Sequence, residues 1–177
     1  MGKNKNKKLQ YGFTLFEMII VVALIAIITG ISFSYYGKYA EGKKLEGEAK
    51  KLANTVSLAL KNSSSSNQES CNNFVGFKIN FETLTKWTLQ RCCDSAISCT
   101  EVAAFNLDSN IEIESTSPSN LASILFNKLG SSLLFSPTQS EQASITLKNK
   151  ALESKNCINL NINQAGVFNI EERVDCP

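Results

Sequence analysis

Gly12-Phe13-Thr14-Leu15-Phe16-Glu17 opens the stretch that decides how this chain is built. Upstream lie Lys3, Lys5, Lys7 and Lys8 with no acid among them, and downstream no charged residue occurs from Met18 to Tyr36. That uncharged run is about the length an α-helix needs to cross the hydrocarbon core of a bilayer. Lysines on one side of such a run are retained in the cytoplasm, so the leader is expected inside and the C-terminal part outside. Glu17 is the anomaly. A carboxylate at the mouth of a membrane helix is costly and points to function.

Working outward, residues 1–12 are short, polar and cationic, as befits a targeting or processing segment rather than part of a fold. Three readings of the apolar run compete. A secretory signal peptide would be cut after it, with Ser32-Phe33-Ser34 as the small-x-small site, but would not need the acid. A plain anchor fits the length and also leaves Glu17 without a purpose. The third reading makes Gly12 a cleavage point, because a residue without a side chain lets a protease approach the backbone closely. Cutting there would put a cationic amine on Phe13 at the helix N-terminus, where the macrodipole disfavours positive charge. Glu17 lies one turn on, about 6 Å along the axis at 1.5 Å per residue. It could offset that amine in its own chain or pair with the amine of a neighbour.

The combination of Gly12, Phe13, Thr14-Leu15, Glu17, the basic leader and the apolar run resembles the class III signal of type IV pilins and type II secretion pseudopilins. Phe16 departs slightly, standing where an aliphatic residue is commoner. The resemblance implies cleavage between Gly12 and Phe13 by the prepilin peptidase and N-methylation at Phe13 by the same enzyme. It also implies assembly through Glu17 in the intersubunit version of the pairing. Other pilin or pseudopilin subunits, an inner-membrane assembly platform and the lipid bilayer are its expected partners.

The remainder of the helix changes character. Leu45, Ala49, Leu52, Val56, Ala59 and Leu60 recur at steps of three and four and form one apolar stripe. Lys43, Lys44, Glu46, Lys50 and Lys51 occupy the other faces, with Glu46 and Lys50 spaced for an i,i+4 pair. A single helix from Phe13 to Lys61 would extend about 73 Å, with Gly30, Gly37 and Gly42 as its weak points. No proline interrupts it, although many pilins carry one there. The serines at 63–66, with Asn62 and Asn67, are expected to end the helix as a polar linker.

The expected organisation is a leader at 1–12, a membrane and assembly half of the helix at 13–36, an amphipathic half at 37–62, and an extracytoplasmic β-rich head at 63–177. Within the head, Val75, Phe77, Ile79 and Phe81 alternate with polar residues, as do Ile111 and Ile113, and Ile158, Leu160 and Ile162. Trp87 and Leu89 lead towards Cys92, and 124–126, 133–135 and 145–147 are short apolar runs. Gly166 sits at a hairpin turn before Val167-Phe168-Asn169-Ile170. A helix stripe covering one antiparallel sheet is an α+β, pilin-like architecture. The closing hairpin, Cys157-Ile158-Asn159-Leu160 through Ile170, is similar to that of GspH/FimT-like minor subunits, which implies a minor rather than a major role.

All six cysteines, Cys71, Cys92, Cys93, Cys99, Cys157 and Cys176, lie beyond the apolar run. An even number on the outer side of a membrane suits disulfides. Metal binding is the weaker alternative, since there is no histidine and no paired CxxC. Many connectivities are open; Cys157 with Cys176 is the one pair singled out. Cys92-Cys93 reads either as a redox site or as the start of two bridges to different partners. The missing histidine excludes Ser-His-Asp and Cys-His catalysis. No phosphate-cradling glycine loop or HExxH occurs, and Asp94, Asp108 and Asp175 are too scattered for a calcium loop. Glu112 and Glu114 read as a solvated strand face. Without its four leader lysines, a chain of 18 basic and 16 acidic residues is slightly acidic, so nucleic acid is not an indicated partner. The sequence thus predicts a non-enzymatic filament subunit without a cofactor, in a type IV pilus or a type II secretion pseudopilus, inserted as a single-pass inner-membrane protein. The alternative is a membrane-anchored extracytoplasmic ligand-binding protein that forms no filament.

Overall fold

In the computed structural model, the described residues are 13–65, 71–130, 132–137 and 140–176. One helix, α1 (Leu15–Ser64), continues from the apolar run into the amphipathic stretch. By contacts the chain divides into two units, Met1–Gly37 and Lys38–Pro177.

In the first unit the helix is apolar on every side, and the large side chains from Phe13 to Ile28 are exposed. It is long and apolar enough to cross a membrane. The Thr29 hydroxyl is satisfied within the helix, because its Oγ1 donates to the Ile25 carbonyl at 2.7 Å. A helix can carry such a group into lipid without leaving a polar atom unpaired.

In the second unit α1 contributes Leu45, Ala49, Leu52, Val56 and Ala59, all fully buried, from the stripe read in the sequence; Leu60, its last member, is only partly buried against the core. Against the helix lie, among the described residues, nine strands in two antiparallel sheets. The first sheet contains β1 (Phe74–Thr83), β2 (Lys86–Cys93), β3 (Cys99–Asn106), β5 (Ser123–Asn127) and β6 (Leu133–Ser136), in the order β3-β2-β1-β5-β6. The second contains β4 (Ile111–Ser117), β7 (Gln142–Asn149), β8 (Cys157–Asn163) and β9 (Phe168–Ile170), in the order β4-β7-β8-β9. The architecture is therefore α+β, with two sheets where the periodicity suggested one. Phe77, Ile79, Trp87, Ile124 and Phe126 from the first sheet and Ile113, Ile145, Leu147, Leu160 and Ile162 from the second join the helix stripe in one hydrophobic core. Gly166 makes the β8–β9 turn with φ at +78°, a conformation that glycine adopts without steric cost.

Strand β3 is not legible in the sequence. Val102-Ala103-Ala104-Phe105 runs apolar without alternation, and a register shift between Leu89 and Gln90 breaks its pairing to β2. Much of β3 is exposed because it forms an edge of its sheet, with Glu101 and Val102 facing solvent. Such a strand gives no period-two signal.

Four further expectations are revised. Ser63 is not linker: it is fully buried in the last turn of α1, its hydroxyl donating to Phe126 O at 2.9 Å and accepting from Phe77 N at 3.3 Å. The helix end is thereby bonded to β1 and β5, and a polar group that would be costly if unpaired is satisfied. Glu46 does not pair with Lys50 but with Lys43, at 2.6 Å, and with Arg173 Nε at 3.3 Å. The hydrogen bond from Lys43 is the main reason the Glu46 carboxyl lies below the usual carboxylate range. Gly42, expected only as a point of low helix propensity, is buried at the place where the Arg173 guanidinium approaches the helix backbone. Glu112 and Glu114 are ion-paired to Lys150 and Lys148 rather than simply solvated.

Three disulfides join Cys71 to Cys93, Cys92 to Cys99, and Cys157 to Cys176. The adjacent Cys92 and Cys93 therefore go to different partners. The first ties the chain after the helix to the end of β2, the second staples the β2–β3 hairpin, and the third holds the C-terminal segment to the start of β8.

Candidate functional site: the N-terminal end of the helix

The candidate site is the first turn of α1. Leader residues 1–12, including Gly12 and one side of the expected scissile bond, lie outside the described residues. Phe13 precedes the helix and is exposed. Thr14 is its N-cap. The Thr14 N–H donates to Glu17 Oε2 at 2.9 Å, the Thr14 hydroxyl donates to the same oxygen at 2.9 Å, and the Glu17 N–H donates back to Thr14 Oγ1 at 3.2 Å. This is a capping box, in which a hydroxyl residue and an acid three positions on satisfy each other's backbone donors.

The pairing follows from helix geometry. The first four N–H groups of a helix lack intrahelical acceptors, and in an apolar surrounding no water replaces them. Thr14 and Glu17 supply two acceptors there, and the carboxylate also lies at the positive end of the helix dipole. Both hydrogen bonds to the carboxylate use Oε2; Oε1 has no hydrogen-bond partner among the described residues. Glu17 can thus hold its own helix end with one oxygen and present the other to a cation.

A family model described as the prokaryotic N-terminal methylation motif matches residues 7–33. The chain carries the prepilin signal of type IV pilins and pseudopilins. The match covers the leader's end, the expected cleavage point, the capped turn and the apolar run, and it stops before the second unit. No curated protein and no solved structure matches the chain. The motif together with the exposed apolar helix points to a membrane-anchored, single-pass protein.

The part of the prepilin signal that sequence reasoning missed is Thr14. A threonine three residues before a glutamate at a helix start is nonetheless a legible capping signature. Thr14→Val keeps the shape and removes the hydroxyl. It is expected to cost about 1 kcal/mol of end-turn stability, seen as roughly fivefold faster amide exchange at residues 15–18 in micelles, with exchange beyond Leu45 unchanged.

Proposed function

We propose that the chain is a structural subunit, in a minor position, of a type IV pilus or a type II secretion pseudopilus. The single observation that carries this reading is the prepilin signal, with an acid presented at the capped first turn of an apolar helix. The peptidase cuts between Gly12 and Phe13, and the Phe13 amine is methylated. The new amine, at the unfavourable end of the helix dipole, pairs with the Glu17 carboxylate of a neighbouring subunit through the oxygen not used by Thr14. The apolar helices exchange lipid for one another, so their surfaces are never transferred to water. The leader faces the cytoplasm and the second unit lies outside, where an oxidising compartment supports its three disulfides. The minor position rests on the sequence of the closing β8–β9 hairpin, Cys157-Ile158-Asn159-Leu160 through Ile170, which resembles that of GspH/FimT-like subunits.

The mature N-terminus tests the reading. Mass spectrometry of the protein from membranes is expected to find N-methyl-phenylalanine derived from Phe13. An intact Met1 would instead support an anchored ligand-binding protein, and a terminus at Tyr35 a secreted domain.

A further inference from the structure

Beyond β9 the chain turns back along the second unit, and its contacts are specific. Val174 forms a backbone bridge to Cys157, Lys155 N–H donates to Asp175, and Cys176 is bonded to Cys157. This fastens residues 174–176 to the start of β8. Arg173 reaches from the fastened segment to α1, where its guanidinium occupies the space that a side chain at residue 42 would need, and its Nε lies 3.3 Å from Glu46 Oε1. The same stretch of helix is held nearby by Lys38 to Glu153 at 3.1 Å and by the fully buried Asn149, which donates to the carbonyl and carboxylate of Glu41 at 3.0 Å.

We propose that residues 171–176 are a clasp: the Cys157–Cys176 disulfide tethers it, Arg173 closes it on Gly42 and Glu46, and it sets where the helix becomes free of the head. A part-exposed ion pair is too weak to hold a chain end by itself. A tether that keeps the guanidinium beside its seat removes most of the entropy that pairing would otherwise cost. Gly42 is the other half of the device. With no Cβ it admits the guanidinium against the helix backbone, while the helix gives up the propensity that alanine would supply there. An open clasp leaves the stretch ahead of the buried Leu45 held through Lys38 and Glu41 alone, and so loosens the helix segment next to the point where it leaves the sheets. The usefulness of that looser segment rests on the filament reading, in which the subunit leaves a membrane for an assembly. The contact itself does not.

Amide exchange on the full chain in detergent micelles tests the clasp through a change of sign. Alanine strengthens a helix relative to glycine, so Gly42→Ala would ordinarily slow exchange over residues 39–46. With the clasp, Gly42→Ala displaces Arg173 and speeds that exchange by about tenfold, as expected for loss of a local closing interaction. In an Arg173→Ala background the same substitution slows it. The Cys157→Ser/Cys176→Ser pair should free the tail and speed exchange over 39–46 as Arg173→Ala does. The near-ultraviolet signal of Trp87 shows that each variant remains folded. The same sign for Gly42→Ala in both backgrounds, or a freed tail with the helix unchanged, overturns the proposal. Because the readout needs no assembly, such a failure leaves the filament reading standing, and failure to find methylated Phe13 leaves the clasp standing.

Discussion

Glu17→Ala is expected to leave cleavage after Gly12 intact and to remove the subunit from filaments. In the proposed processing the peptidase would read the glycine and the leader, neither of which changes, so the processed fraction on a gel should match that of the parent. Assembly differs in the proposed filament, where the Phe13 amine would enter a bundle of apolar helices. Leaving one member of a buried ion pair without its partner costs about 3–5 kcal/mol, and roughly a hundredfold or greater loss of incorporation follows at the lower bound. The measurement is the ratio of subunit in sheared filaments to subunit in membranes. Comparison with Thr14→Val separates two contributions, since that variant loses the cap but keeps the charge and should assemble far better. Normal incorporation of Glu17→Ala would refute the pairing.

Reduction of the three disulfides is expected to unfold the strand-rich unit at temperatures where the oxidised form is stable. The bridges close short loops, with separations of 22, 7 and 19 residues, and removing one native disulfide from a small domain typically costs about 2–5 kcal/mol. Whole domains are stable by only about 5–15 kcal/mol, so losing all three is comparable to the total. Thermal melts in micelles, followed by the far-ultraviolet strand signal with and without dithiothreitol, should differ by roughly 15 °C or more. The helical signal of the apolar run should persist, because it draws on none of the bridges. A melt indifferent to reductant would mean that the core around Trp87 suffices.

The sequence was most legible where one requirement dominates. An uncharged run of bilayer length has few alternatives, and the stripe from Leu45 to Ala59 reports its burial directly. Strands such as Phe77-Lys78-Ile79 and Ile158-Asn159-Leu160 alternate because one face is core and the other is polar. Legibility failed where tertiary contacts decide. Ser63 looks like linker until its hydroxyl is seen between Phe77 and Phe126. Glu46 looks paired to Lys50 by spacing alone, but Arg173, more than a hundred residues away in sequence, takes that place. The division into two sheets was hidden because alternation reports which face is buried, not which strand lies alongside. At the N-terminal site the chemistry-bearing residues were all visible, and only the division of labour between the two oxygens of Glu17 required coordinates.

Strand β3 has a consequence for crowded subunits. An exposed sheet edge is a template on which another chain can add a strand, and a filament would hold many such edges at high local concentration. Here the edge carries the outward charge of Glu101, and its hairpin is interrupted by the shift at Leu89 and Gln90 and stapled between Cys92 and Cys99. Those features make it a poor surface for stacking. Neighbours held side by side by their helices could then still slide, bend and part at the level of the heads, so the polymer could be strong along its axis without its outer layer setting solid.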